Sequence, residues 1–148
     1  MVTPVLFSPA EEHFLRTQPV ARLGTVDVHG FPHLVPICFA YTQGSIYSAI
    51  DSKPKRVAPH RLKRVRNISA HPQVALLLDE YQADWSRLRY LLIHGEATLL
   101  SAGEEYRQAL DALCQKYPQY RALPLSATQG PVIKIIPRRK RRWGAWTP

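Results

Sequence analysis

A basic segment in the first half of the chain carries the clearest chemical signal in the sequence. Residues 51–56 read DSKPKR, and a predicted helix begins close behind them. Cations, a hydroxyl group and the unpaired N–H groups of a helix start are together suited to holding a phosphate. Each charge-assisted hydrogen bond of this kind contributes about 1.5–3 kcal/mol when it is shielded from water. We therefore predict an anion site without metal, formed by Lys53, Lys55 and Arg56 first, then Arg61 and the hydroxyl of Ser52.

The charge distribution extends this prediction to the whole molecule. The net charge is +9, and residues 52–78 and 112–148 contain no acidic side chain but seven and eight lysines or arginines, respectively. Such separation produces a local positive field that attracts anionic partners. The candidates are a phosphorylated small molecule and nucleic acid. The alternative is that these cations are solvated, or that they pair with Asp51 or Asp79.

Length and composition limit the class of protein. A chain of 148 residues with 45% hydrophobic residues has room for one globular domain. No apolar run approaches the roughly 20 residues of a membrane-spanning helix, and no secretion signal is recognisable at the start. Cys38 and Cys114 match neither a disulfide framework nor a zinc-ligand spacing, so we expect a cytoplasmic protein. The six histidines occur singly, which argues against a metal site, and no residue set predicts nucleophilic catalysis.

The periodicity predicts a mainly β fold with two or three short helices. Ser8 and Glu11 have capping-box spacing at the start of a first helix, and further helices are expected over 61–69 and over 101–116, the last capped by Ser101. Strands are predicted over 20–27, 32–41, 45–50, 74–79, 88–94, 96–100 and 130–136. The first three should form an antiparallel meander, and six or seven strands favour a small closed barrel. We expect a single domain over 1–148, ending in a basic, tryptophan-containing tail over 138–148.

The stretch ARLGTVDVHGFPHLVPICFAY over 21–41 is the most specific one in the chain. Together with the basic segment 51–56 and the later Arg66-Asn67-Ile68, it resembles the pyridoxamine 5'-phosphate oxidase-like family. The resemblance extends from about residue 11 to 143 and is greatest to the small oxidoreductases that use the deazaflavin F420 or FMN. It implies the FMN-binding split β-barrel fold and, usually, a homodimer with the pocket between the subunits.

The resemblance also implies roles for particular residues. The basic loop would grip the phosphate of FMN or of the deazaflavin side chain, and the second strand would hold the ring system through His33, Val35 and Pro36. Trp143 would form a wall of the pocket, and Tyr81, Asp84 and Trp85 could line the substrate side. Each has a plainer alternative: His33 on the surface, Val35 in the core, Pro36 at a sheet edge, and Trp143 as a plug of the barrel end or in the dimer interface.

The expected activity is hydride transfer between the bound F420 or FMN and a small conjugated substrate. The cofactor carries this chemistry, so no catalytic protein residue is predicted. The first alternative is a carrier or sensor that binds the cofactor without turnover; haem is a more distant cofactor choice. The second is nucleic-acid binding through the tail PRRKRRWGAWTP, where arginine and tryptophan side chains could contact phosphates and bases.

Overall fold

The computed structural model describes residues 5–50, 62–122 and 130–146. The helices are α1 (Pro9–Thr17), α2 (Lys63–Ala70) and α3 (Glu104–Lys116). The strands are β1 (Ala21–Val26), β2 (Pro32–Ile37), β3 (Ala40–Thr42), β4 (Ser45–Ala49), β5 (Gln73–Glu80), β6 (Arg89–Leu100) and β7 (Val132–Gly144). Short 3₁₀ turns cover Trp85–Arg87 and Pro118–Arg121.

All seven strands belong to one curled antiparallel sheet in the order β2-β1-β5-β6-β7-β4-β3. The predicted mainly β class and the split-barrel architecture are confirmed. The two end strands, β2 and β3, are consecutive in the chain and are joined by Cys38 and Phe39 alone. The sheet therefore curls until its ends meet at this corner, and the closed barrel expected from strand number is a curled half-barrel.

The corner between β2 and β3 corrects the predicted strand over 32–41. The side chain of Phe39 is fully buried, and the hydroxyl of Tyr117 accepts a hydrogen bond from the Phe39 N–H at 2.9 Å. The same hydroxyl lies 2.9 Å from the Pro19 carbonyl and 3.1 Å from the Phe39 carbonyl, which share its proton. The Tyr117 side chain thus satisfies the backbone hydrogen bonds of Phe39. The chain leaves the sheet edge formed by β2 and enters the opposite edge as β3, so β2 does not continue into the expected meander.

A bulge explains why the two strands predicted over 88–94 and 96–100 are one. The pairing of β6 with β7 shifts between His94 and Gly95. A Cβ placed on Gly95 would lie 2.6 Å from the Ile136 carbonyl oxygen, so only glycine lets the two backbones approach this closely. Because Gly95 has no side chain, β6 bends at the bulge and continues instead of ending there.

The basic tail belongs to the last strand, which the sequence predicts only over 130–136. β7 continues to Gly144 and pairs with β6 on both sides of the bulge, where Arg138 has no partner in the strand register. Its side chains alternate between the two faces of the sheet on each side of the bulge, and the extra residue shifts the phase of the alternation. Ile133, Ile135, Lys140 and Arg142 lie opposite inward-facing residues of β6, whereas Arg139, Arg141 and Trp143 point outward.

The helices close the open sides of the sheet. The capping box of α1 is confirmed: the Glu11 N–H donates to the Ser8 hydroxyl and the Ser8 N–H donates to the Glu11 carboxylate. Helix α3 begins at Glu104 after Gly103, which has a φ of +99°, so the predicted cap at Ser101 is wrong.

Among the described residues, no helix is both long and apolar enough to span a membrane.

The core is divided into two clusters by the curled sheet. The larger cluster lies inside the curl and contains Phe14, Leu23, Leu76, Leu91 and Ile135 among its buried side chains. The smaller cluster packs α3 against β3, β4 and the start of β7. Strand β5, expected to be buried on both faces, alternates between buried and half-buried positions, because its outer face is only partly covered.

Candidate functional site

The predicted phosphate-binding side chains lie outside the described residues: Ser52, Lys53, Lys55, Arg56 and Arg61. What the structure describes is the helix that follows them. Helix α2 begins at Lys63, and its N-cap residue Leu62 makes no side-chain hydrogen bond to the first turn. The Lys63 ammonium lies 3.4 Å from the Asp27 carboxylate at the end of β1. The helix start is thus anchored to the sheet, and within the described part of the chain its N–H groups have no side-chain cap.

His33 lies on β2 beside this helix. It is directly opposite the buried Thr25, whose hydroxyl accepts a hydrogen bond of 2.9 Å from the Asn67 amide of α2. The Nδ1 atom of His33 is buried and has no hydrogen-bond partner among the described residues. Burial lowers the pKa of His33 below its ordinary value of 6.5, and the positive charges of Arg64 and Lys63 lower it further.

These surroundings keep the His33 imidazole neutral near pH 7, with one ring nitrogen unused. A buried polar atom without a partner costs free energy unless a ligand or water satisfies it. A bound molecule with a hydrogen-bonding edge and a negative charge would complement both the ring nitrogen and the adjacent cations. The described part of this site therefore fits the polar edge of an anionic planar cofactor.

The other two ring-binding candidates of β2 lie on opposite sides of the sheet. Val35 is half-buried, pairs with Leu23 and packs against the larger core cluster. Pro36 is exposed and pairs with Arg22 on the outer face. Strand alternation thus leaves Val35 beside His33 on the inner face and separates Pro36 from both. Val35 contributes to the core at this point, in line with its plainer alternative.

Trp143 lies on the outer face of β7, which is separated from β2 by three intervening strands in the sheet order. Its indole stacks on Tyr90 with ring centroids 5.8 Å apart and an interplanar angle of 20°. The Trp143 side chain is still 54% exposed. The plug of the barrel end is instead Trp146, which contacts Phe14 edge-on at 5.1 Å and covers the guanidinium of Arg89 at 4.9 Å.

One copy of the chain therefore does not bring all the predicted cofactor residues together. His33 and Val35 face inward on β2, whereas Trp143 faces outward on β7. A ligand held by His33 could contact a Trp143 side chain only where a second copy presents its outer face.

The five cations of the tail are divided by strand alternation, which the sequence analysis missed. Lys140 and Arg142 face inward and pair with Glu11, and Arg138 pairs with Glu96 at 3.3 Å. Arg139 and Arg141 point outward beside His94 and line an open depression of about 400 Å³. No sequence signal separates these cations, because residues 138–142 are all lysine or arginine, and a period of two cannot be recognised in residues of one type.

The segment between β5 and β6 is exposed at both of its aromatic residues. Tyr81 and Trp85 are 75% and 72% exposed, and Asp84 caps the 3₁₀ turn by accepting a hydrogen bond from the Ser86 N–H. Within residues 5–50, 62–122 and 130–146, no cluster of three histidine, cysteine or acidic side chains could hold a metal ion.

Comparison with solved structures supports the fold. A conserved hypothetical protein from Mycobacterium tuberculosis superposes with a TM-score of 0.76 at 19% identity, covering 96% of this chain and 88% of that one. A heme storage protein from Vibrio cholerae superposes with a TM-score of 0.72 at 17% identity, covering 95% of both chains. At these identities the similarity concerns the fold.

Comparison with characterised sequences identifies a closer relative. The chain is 30% identical over 139 residues to the 5a,11a-dehydrotetracycline/5a,11a-dehydrooxytetracycline reductase of Streptomyces rimosus, covering 93% of this chain and 83% of the reductase. The family model described as pyridoxamine 5'-phosphate oxidase matches residues 7–143, from the start of α1 to the end of β7. This chain therefore belongs to the pyridoxamine 5'-phosphate oxidase family.

Proposed function

We propose that this protein is an oxidoreductase that uses F420 or FMN for hydride transfer to a small conjugated substrate. The observation that carries the proposal is the buried Nδ1 of His33, which has no partner within 5–50, 62–122 and 130–146 and lies beside the cationic start of α2. Membership of a family typified by an oxidase and 30% identity to a reductase support the same class of reaction.

The roles of the residues follow from their chemistry. Lys53, Lys55 and Arg56 bind the phosphate, with help from Ser52, Arg61 and the N–H groups in the first turn of α2. His33 binds the polar edge of the ring system. The cofactor, when bound, supplies the hydride chemistry; the chain's own residues bind, orient and shield the reactants. The excess of cations favours F420, whose side chain ends in several carboxylates, over FMN.

We also propose that the active form is a homodimer. The β1–β2 hairpin exposes a row of apolar side chains, with Val28 67%, Phe31 68% and Leu34 74% exposed. Exposed apolar patches of this kind mark interaction surfaces. A second copy packed on this hairpin would cover these side chains and would bring its outward-facing Trp143 close to the cofactor site of its partner.

Sedimentation at micromolar concentration tests the dimer. Phe31→Lys combined with Leu34→Lys should shift the protein to a monomer, because two charges cannot be buried in an apolar interface without partners. Leu6→Lys is the control, since Leu6 is 82% exposed outside the hairpin. A wild-type monomer, or a double variant that stays dimeric, would contradict the proposal.

Titration of the purified protein with FMN and with F420, followed by absorption and fluorescence, tests cofactor binding. Lys53→Ala with Lys55→Ala should weaken binding at least tenfold, about 1.4 kcal/mol, because two charged contacts are lost. Arg107→Ala with Arg121→Ala removes the same charge from exposed positions outside the site and should leave binding unchanged. Equal affinity in all three proteins would refute the phosphate site.

Turnover separates the oxidoreductase from a carrier or sensor. The reduced cofactor should be reoxidised faster by conjugated acceptors when the protein is present than in its absence. Binding without any acceleration would instead favour the carrier. Because the fold also occurs in a heme storage protein, hemin is titrated in parallel, and binding of hemin in place of both flavin-type cofactors would refute the proposed chemistry.

A further inference from the structure

The outer face of the β6–β7 pair combines a charged end with an aromatic end. Three successive cross-strand pairs share this face: His94 with Arg139, Leu92 with Arg141, and Tyr90 with Trp143. Neighbouring pairs on one face are separated by two residues, about 7 Å along the strands. The face is thus a short track on which cations and stacked rings lie side by side.

The charge at one end of this track is not neutralised. Lys140, Arg142 and Arg138 are paired with glutamates, whereas no acidic side chain of the described ranges lies within ion-pairing distance of Arg139 or Arg141. Both guanidinium groups are exposed and border the open depression of about 400 Å³. Two planar cations on one face are suited to a carboxylate, enolate or sulfonate oxygen pair.

The aromatic end offers an open surface for a flat molecule. Tyr90 covers one face of the Trp143 indole, yet Trp143 remains 54% exposed. A planar ring system can therefore stack on the indole or at its edge. The adjacent pair on the same face places Arg141 one 7 Å step away, within the span of a two- or three-ring molecule.

We propose that this track binds the substrate and selects planar conjugated acids, with the ring system on Trp143 and the anionic group on Arg139 and Arg141. The inference rests on the proposed oxidoreductase function and specifies its substrate class. Small molecules fit better than nucleic acid, because only two tail cations remain unpaired and a nucleic-acid site requires charge along several phosphates.

The probe for this site is 2-naphthoate, a flat acid, with the neutral 2-naphthylmethanol for comparison. Binding to the full-length protein without cofactor is measured by calorimetry and by quenching of tryptophan fluorescence. Arg139→Gln with Arg141→Gln should weaken 2-naphthoate binding about tenfold, as expected for two solvent-exposed charged contacts. Arg107→Gln with Arg121→Gln removes equal charge elsewhere and should have no effect.

The aromatic half has its own test. Trp143→Leu should weaken both naphthalene probes and abolish most of the quenching, because the stacked indole is lost. The arginine double variant should weaken only the acid. Equal binding of the acid and the neutral probe to wild type, or unchanged acid binding in the arginine double variant, would overturn the inference.

A single-stranded oligothymidine serves as the competing ligand. With two available cations, its affinity should fall with salt at a logarithmic slope of about 1.4. A slope of about 4 or more, with oligothymidine displacing 2-naphthoate, would overturn the inference in favour of nucleic acid. The two proposals can fail separately: cofactor turnover with no 2-naphthoate effect refutes this inference alone, and arginine-dependent 2-naphthoate binding without cofactor binding refutes the proposed function alone.

Discussion

Lys140 on the last strand pairs with the carboxylate of Glu11 in the first helix, although 129 residues separate them in the sequence. The Glu11 side chain is only 3% exposed and also accepts a hydrogen bond of 2.9 Å from the Ser8 N–H. The Arg142 guanidinium lies 3.6 Å from its second oxygen. One carboxylate thus caps α1 and fastens that helix to the end of β7.

Glu11→Gln should lower the free energy of unfolding by about 2 kcal/mol. The amide preserves shape but leaves two inward-facing cations without their counter-charge, although their partial exposure moderates the cost. Urea denaturation measures the change. Glu12→Gln is the control, because Glu12 pairs with Arg16 at 3.3 Å on the exposed side of the helix and should cost less than about 0.5 kcal/mol. Equal losses in both variants would contradict the role assigned to Glu11.

The contribution of Glu11 should also depend on pH. Burial raises the pKa of Glu11, but the hydrogen bonds from Lys140 and the Ser8 N–H and the nearby charges outweigh burial and hold this pKa below its ordinary value of 4.5. A depressed pKa in the folded state stabilises the protein above the unfolded-state pKa. The difference between wild type and Glu11→Gln should therefore be constant near neutral pH and shrink as the pH falls through the folded-state pKa. Unfolding measured from about pH 7 to about pH 3 tests this, and a difference that grows on acidification would refute it.

Gly95→Ala should destabilise the protein by about 2 kcal/mol or more, because the new methyl group would meet the Ile136 carbonyl oxygen at 2.6 Å. Gly24→Ala is the matched control on another strand. Its methyl group would meet the end of the Leu34 side chain at 3.2 Å, and Leu34 is exposed and can move. Thermal unfolding of both variants gives the comparison. A smaller loss at Gly95 than at Gly24 would show that the bulge tolerates a side chain.

Tyr117→Phe should cost about 1–2 kcal/mol by removing the hydroxyl that satisfies the backbone of Phe39 at the β2–β3 corner. Burial raises the pKa of Tyr117 to about 12, so the hydroxyl keeps its proton at all pH values of interest. Tyr81→Phe removes an exposed hydroxyl and should be neutral within about 0.5 kcal/mol. Chemical denaturation distinguishes the two, and a neutral Tyr117→Phe would mean that water replaces the hydroxyl.

His33→Gln should weaken binding of F420 or FMN about tenfold, because the altered side chain no longer places the ring nitrogen at the polar edge of the ligand. Folding should be little affected, since Nδ1 makes no hydrogen bond to any residue that the structure describes. His29→Gln, in the exposed turn of the same hairpin, is the control. Cofactor titration and thermal unfolding together provide the measurement. Loss of stability with unchanged affinity would assign His33 to the fold instead of the site.

Short-range patterns were sufficient for much of the architecture. The capping box of Ser8 and Glu11 involves residues three apart, and the alternation of faces in 21–26 follows from strand geometry, so both could be predicted without tertiary information. The family resemblance was likewise carried by contiguous residues and is confirmed by the match over 7–143.

The strand boundaries that were predicted wrongly depend on contacts with residues far away in the sequence. The break after Ile37 depends on Tyr117, which meets Phe39 across 78 residues, and the continuity of β6 depends on how Ile136 approaches Gly95. Neither partner can be identified from local propensity, because both act through contacts made only in the folded chain.

The sequence by itself determined that a strongly basic, mainly β domain of this family carries more cations than its own carboxylates can neutralise. Only the tertiary structure decided which tail cations remain available. Strand alternation turns Lys140 and Arg142 inward to Glu11 and leaves Arg139 and Arg141 outside. In a run of like charges, the residue types do not indicate which side chain lies on which face of the sheet. Hydrogen bonding to a neighbouring strand decides this.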